Sequence, residues 1–247
     1  MKRVDVALVE RGLCESREKA QRAVLAGQVR INHRLARKPS DPIQDSDELS
    51  LTEGERYVSR GGYKLEHALR HFALSVTGLT VLDVGASTGG FTDCLLQHGA
   101  QRVFALDVGR GQLAWKLRQD PRVVVMENVN ARTLSPAHFA QPFTPLDLVV
   151  IDCSFISLRR ILSPAIALLR SAGRVVALIK PQFEAGKAEA DKGAGVISDP
   201  AIHDRVIEEL REFVGKLPGT RWLGVTPSPL QGPAGNREFL ALLEKAD

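Results

Sequence analysis

Apolar positions in the first fifty residues are sparse and helically spaced, whereas after Gly78 they gather into short continuous runs. Val4 to Arg11 predicts a first helix, with Gly12 in the C-cap place just past its end. Ser16 can cap a second helix, Arg17 to about Ala26, closed by Gly27. Ala20, Ala23 and Val24 give it a thin apolar face, away from which lie Arg17, Gln21 and Arg22. Val29-Arg30-Ile31 alternates like a strand, Asn32-His33 can turn, and Leu49-Ser50-Leu51 reads as another strand. Glu53 to Gly62 is polar and broken by Gly54, Gly61 and Gly62, as a linker would be, and a helix follows over Tyr63–His71.

Five apolar, β-branched runs come next: Thr80–Val84, Arg102–Leu106, Val123–Met126, Leu146–Ile151 and Val175–Ile179. Continuous runs of this length suit strands buried on both faces of a parallel sheet. Trp222–Val225 and Phe239–Leu243 can add two more strands, with a turn-rich loop, Pro227–Asn236, between them. Asp199-Pro200 supplies a cap and a first position for a helix carrying Ile202, Val206, Ile207, Leu210 and Phe213. The expected fold class is α/β. A small α+β domain spans residues 1–52, a linker 53–62, and a doubly wound, seven-stranded, Rossmann-like domain 63–247. Such sheets bind ligands at the carboxyl ends of their strands, and the chemistry is to be sought there.

Charge changes the picture at one end. Residues 1–40 hold ten Lys or Arg against four Asp or Glu, while the rest of the chain is slightly acidic. A positive field confined to the small domain points to a polyanionic partner, although a solvated basic surface reads the same way on charge alone. No apolar run approaches the ~18 residues of a membrane span. Asp5 and Glu10 fall where a signal peptide would need its apolar core, so a cytoplasmic location is expected. Cys14, Cys94 and Cys153 are too scattered for a disulfide framework or a metal pair, and no metal is expected.

The strongest local motif is Asp83-Val84-Gly85-Ala86-Ser87-Thr88-Gly89-Gly90-Phe91-Thr92, between a strand and a helix. Glycines there let the backbone approach a ligand, and the helix start near Gly90 offers free N–H groups. Asp107, ending the next strand, can accept hydrogen bonds from a ribose diol. Dinucleotide and S-adenosylmethionine sites share this geometry. Ser87 stands where the dinucleotide fingerprint needs its second glycine.

Two resemblances follow from these stretches. Arg3-Val4-Asp5, Leu8, Ser16-Arg17, Ala20 and Gly27-Gln28-Val29-Arg30-Ile31-Asn32 resemble the S4 RNA-binding domain. This resemblance makes Arg3, Arg17, Lys19, Arg22, Arg30 and Arg34, with Arg60 in the following segment, candidates for RNA contact. The Asp83–Thr92 loop resembles the S-adenosylmethionine motif of FtsJ-like methyltransferases. That implies cofactor roles for Asp83, Gly85, Ser87, Thr88, Gly89, Gly90, Phe91 and Asp107, for Asn128 and Asn130 at the adenine, and for Asp152. FtsJ-like ribose methyltransferases use a Lys-Asp-Lys-Glu set, and Lys64, Asp152, Lys180 and Glu238 stand in the matching contexts. The resemblance then implies that Lys180 is the base or activator of a 2′-hydroxyl, with Lys64 disfavouring its protonated form and Asp152 and Glu238 orienting the lysines.

Both halves together resemble the TlyA family, historically called hemolysin-like. The stretches Val58–Leu65, Asp107–Leu113, Lys180–Lys187 and Ser228–Glu238 carry that likeness. It implies 2′-O-methylation of a cytidine in ribosomal RNA, with free RNA or ribosomal subunits as partner. The compact ends resemble the family's shorter type, which is associated with large-subunit RNA. Two other classes stay open: an RNA-binding protein with an inactive enzyme domain, and a membrane-active protein. Failure to bind S-adenosylmethionine favours the first, and lipid binding that survives enzyme inactivation favours the second. Asp152-Cys153-Ser154-Phe155 lacks the prolines of the amine methyltransferases and the Pro-Cys of the cytosine carbon-5 enzymes. Cys153 therefore reads as a small buried residue. Phe155 reads first as core and second as a surface for a base. Glu184–Gly195, with Lys187, Asp191 and Lys192, has the make-up of a mobile lid or an ordinary loop.

Overall fold

The computed structural model describes residues 2–51, 56–186, 189 and 193–246. It divides into two compact units, Met1–Arg56 and Tyr57–Asp247.

The first unit has strand β1 (Lys2–Arg3), helices α1 (Val4–Glu10) and α2 (Arg17–Leu25), then strands β2 (Val29–Ile31), β3 (Arg34–Leu35), β4 (Pro42–Ile43) and β5 (Leu49–Leu51). Ser16 caps α2 by accepting from the Lys19 amide, as the sequence requires of a cap. Strand β2 pairs antiparallel with β3 and β5, and β1 pairs with β4. Val4, Leu8, Ala20, Val24, Val29 and Ile43 form the core, which confirms the thin apolar face expected for α2.

The second unit carries α3 (Gly61–His71), β6 (Thr80–Val84), α4 (Gly90–Gln97), β7 (Arg102–Leu106), α5 (Trp115–Arg118), β8 (Val123–Met126), β9 (Leu146–Ile151), α6 (Leu162–Ala167), β10 (Leu169–Ile179), α7 (Pro181–Glu184), α8 (Pro200–Gly215), β11 (Thr220–Pro227) and β12 (Phe239–Lys245). Its seven strands run in the order β11-β12-β10-β9-β6-β7-β8. The five from β6 to β10 are parallel, and β12 enters antiparallel between β10 and β11. Consecutive residues of a strand serve opposite faces. Val81 and Val150 pack under α3 and α4, while Leu82 and Val149 pack under α6 and α8. Burial on both sides is why these strands read as unbroken apolar runs. Chain order reverses at β6, whose neighbours are β7 and β9, and the gap beyond those strand ends is where such a sheet takes a ligand.

Two boundaries differ from the sequence reading. Of the expected linker 53–62, residues 53–55 lie outside the described residues, and Tyr57 is buried in the second unit's core. Gly61 and Gly62 open helix α3 rather than break the chain. Strand β10 begins at Leu169, six residues before the apolar run, because a register shift between Leu169 and Arg174 accommodates Ala172 at φ +56°.

Candidate active site

The loop after β6 is shaped by backbone that side chains cannot occupy. At Gly85, φ is +86° and an added Cβ would lie 2.6 Å from the Asp152 carbonyl oxygen, so the turn closes against the end of β9. Gly90 meets the first turn of α3 in the same way, with its Cβ position 3.0 Å from the Gly62 amide. Here glycine serves a helix–helix contact. Thr88 accepts from the Ala114 amide, Gly89 is the left-handed cap of α4, and Phe91 is buried in the core. Thr88, Gly89, Gly90 and Phe91 thus give the loop its form and do not line the adjoining cavity. Asp83 lies wholly buried beneath the loop. Its Oδ2 accepts from Thr92 Oγ1 at 2.6 Å, and its Oδ1 has no hydrogen-bond partner among the described residues. Burial pushes this carboxyl up to about 7, against the opposing Thr92 bond.

A cavity of about 1260 Å³ opens beyond β6, β7 and β9, lined among others by Gly85, Ser87, Asp107, Asn130, Asp152 and Phe155. Asp107 takes the Gly109 amide on Oδ1 at 2.7 Å and the Ser87 amide on Oδ2 at 2.8 Å. A carboxylate has about four lone-pair sites, so both oxygens keep capacity for a diol. Asn130 faces the cavity and caps a short 3-10 turn through the Arg132 amide at 3.0 Å. Asn128 is a left-handed turn residue, φ +58°, and does not line the cavity.

The candidate quartet arrives from four elements and forms two ion pairs. Asp152 follows β9 and Lys180 follows β10, and their Nζ–Oδ1 separation is 2.6 Å. Lys180 Nζ donates its directed hydrogen bond to Ser154 Oγ at 2.9 Å, and its approach to Asp152 Oδ1 is ionic in geometry. Glu238 directly precedes β12, whose antiparallel entry sets Phe239 opposite Ile179 and so brings Glu238 to the same sheet edge as Lys180. Lys64, in α3, donates to Glu238 Oε2 at 2.5 Å, with side-chain exposures of 9% and 1%. The start of α3 also reaches the other pair, because a Cβ on Gly61 would stand 3.8 Å from Asp152 Oδ2. Each carboxylate holds one lysine, and the four formal charges cancel.

Phe155 corrects the sequence reading. It is 90% exposed rather than packed in the core, because its backbone is left-handed, φ +63°, and turns the side chain outward. Its ring sits 5.1 Å from that of Phe183, also on the cavity wall. Cys153 is half-buried and donates to the Val84 carbonyl, and burial with nearby Asp152 pushes its thiol up to about 12. A thiol held protonated in this way is a poor nucleophile at neutral pH.

Three residues make contacts that carried no sequence signal. Glu184 accepts from Ser157 Oγ at 2.6 Å and from the Leu158 amide at 2.7 Å. Asn236, fully buried, accepts from the Ile197 amide and donates to the Gly195 carbonyl, both at 2.8 Å. It pins the far end of the expected lid, whose Lys187, Asp191 and Lys192 lie outside the described residues. Arg60 donates to the Gln231 carbonyl at 3.0 Å and ties α3 to the loop before β12.

In the first unit, buried Asp5 gathers Arg3, Arg17 and Gln21. The hydrogen bond from Arg3, followed by those from Gln21 and Arg17, holds its carboxyl well below the usual range. Lys19 pairs with Glu15, Arg30 donates to the His33 carbonyl, and Arg22 and Arg34 are exposed. Among the described residues, no helix is long and apolar enough to cross a membrane.

Both units are similar to known proteins. The FtsJ-like methyltransferase model matches residues 57–245, and the S4 domain model matches residues 2–49. The 16S/23S rRNA (cytidine-2′-O)-methyltransferase TlyA of Mycobacterium tuberculosis is 46% identical over 243 residues, covering 98% of this chain and 89% of that protein. Hemolysin A of Brachyspira hyodysenteriae is 41% identical over 97% of this chain and 98% of its own. A solved structure from Streptococcus thermophilus, also named for hemolysin, is 48% identical, with a TM-score of 0.75 over the whole chain and 89% of its own. A methyltransferase structure from Listeria monocytogenes, at 16% identity and TM-score 0.54, shares the fold. With an S4 domain ahead of its enzyme domain and near full-length similarity to TlyA, the chain belongs to the FtsJ-like methyltransferase family, in its TlyA branch.

Proposed function

We propose that this chain transfers a methyl group from S-adenosylmethionine to the ribose 2′-hydroxyl of a cytidine in ribosomal RNA. The observation that carries the reading is the quartet Lys64, Asp152, Lys180 and Glu238, drawn from four elements into two ion pairs, with Asp152 on the cavity wall. The residues present fit the cofactor: Gly85 leaves room for close approach, the Asp107 carboxylate keeps lone pairs for a ribose diol, and Asn130 offers an amide on the same wall. When bound, S-adenosylmethionine supplies a methyl group on a sulfonium, already a good leaving arrangement. What remains for the protein is to align a weakly acidic hydroxyl and manage its proton. Lys180, held by Asp152 and Ser154, is the cation that this reading assigns to the developing alkoxide. Lys64 and Glu238 form the second buried pair at that edge and fix the first turns of α3 beside it. Phe155 and Phe183 give the cavity an aromatic rim suited to an unstacked base. Arg3, Arg17, Lys19, Arg22, Arg30 and Arg34 make the first unit the polyanion-binding end, and the work is cytoplasmic, where ribosomal RNA is found.

The test is methyl transfer from labelled S-adenosylmethionine to unmodified ribosomal subunits and free ribosomal RNA, with the product mapped by mass spectrometry. The expected product is 2′-O-methylcytidine, absent with Lys180→Ala. Label on a base, or no label despite cofactor binding, overturns the reading.

A further inference from the structure

The segments 152–158, after β9, and 180–184, after β10, are tied together at three levels. Lys180 Nζ donates to Ser154 Oγ at 2.9 Å. Phe155 and Phe183 stand ring against ring, 5.1 Å between centroids. Glu184 closes the far end, Oε2 accepting from Ser157 Oγ at 2.6 Å and Oε1 from the Leu158 amide at 2.7 Å. Phe155 lies between the two anchored serines in a left-handed conformation that a large side chain rarely adopts, with its ring almost wholly in solvent. A strained residue persists only where its surroundings over-determine it, and strain of this kind collects where a ligand is held. The Ser154 anchor is explained by the quartet. Glu184 is not. It does not line the cavity, and it is a partly desolvated carboxyl whose two hydrogen bonds go to the loop that displays Phe155 rather than to Lys180 or Asp152.

We infer that Glu184 is a positioning residue for the acceptor nucleotide: by fixing the turn at Ser157–Leu158 it holds Phe155 outward over the cavity as a surface for the target base. The inference rests on the proposed RNA methylation and adds to it a residue that acts through another. Without the clasp, Phe155 gains room to leave its left-handed conformation and the aromatic rim loses its fixed form. Binding of the cofactor, on the Gly85 and Asp107 side of the cavity, has no reason to change.

The experiment uses the full chain. Initial rates of methyl transfer to ribosomal RNA are measured for Glu184→Ala, Glu184→Gln, Phe155→Ala and the double variant Glu184→Ala with Phe155→Ala. Equilibrium binding of S-adenosylmethionine and amide hydrogen exchange over 153–158 are measured beside them. Glu184→Ala raises KM for RNA about tenfold, within the range of one lost base-stacking contact, and leaves cofactor affinity within about twofold. Glu184→Gln restores KM, because the amide oxygen still accepts from Leu158 and the amide nitrogen can donate to Ser157 Oγ. The double variant is no worse than Phe155→Ala, since both act through one element. Exchange at Leu158 rises in Glu184→Ala while β6, β9 and β10 stay protected. Multiplicative effects in the double variant, failure of the Gln variant to rescue, or loss of cofactor binding in step with RNA overturns the inference. Should wild type not methylate RNA at all, the functional reading fails by itself. The exchange result then still reports whether Glu184 holds the loop.

Discussion

Asp83 makes the enzyme domain's stability depend on pH in a direction opposite to that of most carboxylates. Its ordinary value of 3.8 is pushed to about 7 by burial, so the folded state holds a proton that the unfolded chain releases between those limits. Because the native state binds more protons there, stability falls as pH rises. The contribution is fully present below about pH 4, declines through the interval and is lost above about 7. A rise of about 3 units at 1.36 kcal/mol each sets a penalty of about 4 kcal/mol for the ionised group at pH 8. Asp83→Asn removes the titration and keeps the shape, and its oxygen can still accept from Thr92 Oγ1. The assay is urea unfolding at pH 5, 6, 7 and 8, followed by tryptophan fluorescence. Trp115 and Trp222 both belong to the second unit, so the signal reports that unit. The variant should gain on wild type from pH 5 to about 7 and level off by pH 8. A difference between the two proteins that stays flat across that range refutes the reasoning, because it would mean Asp83 carries the same charge in both states.

Further consequences concern other parts of the molecule. Cys153→Ala should keep methyl transfer within about threefold, since a thiol near 12 supplies no nucleophile, and a loss beyond a hundredfold would contradict that. Gly90→Ala should drive a methyl group into Ser59 and Gly62, move the start of α3 and with it Lys64, and lower stability by about 1–3 kcal/mol. Calorimetry and steady-state rates together check this, and an unchanged rate would detach the glycine contact from the site. Arg17→Ala should weaken RNA binding and reduce the slope of log affinity against log salt by about one unit without altering cofactor affinity. An unchanged salt slope would remove Arg17 from the RNA-binding surface.

Much of the fold was legible because burial on both faces leaves an unmistakable trace. Thr80–Val84, Arg102–Leu106, Val123–Met126 and Leu146–Ile151 are strands with the ends that their apolar runs suggested. The caps at Ser16 and Asp199 were equally plain, since a side-chain oxygen must satisfy the first amides of a helix. What stayed hidden depends on backbone angles and distant partners. Phe155, apolar and just past a buried strand, reads as core, and nothing in its neighbours announces a positive φ. Lys64 and Glu238 are separated by 174 positions, so no spacing rule could say which lysine each carboxylate holds. Gly90 was visible as a residue needing close approach, but sequence cannot tell a ligand from the helix that fills the space. Glu184 and Asn236 act on loops, where no periodicity marks a partner.

The placement of β12 also bears on when the molecule can first work. This strand is inserted between β10 and β11, and Glu238 directly precedes it. Of the strands of this sheet β12 is the last in chain order, so a growing chain reaches Glu238 only after the other six have been made. Until then β10 has an open edge and Lys64 lacks its carboxylate. Pairing of β9 with β10 is enough to bring Asp152 to Lys180, and the second pair waits for β12, so on the proposed reading the centre is completed only with the last interior strand. A product shortened before β12 should emerge both unstable and catalytically silent, so that clearance of incomplete chains removes molecules that have not yet touched RNA as catalysts.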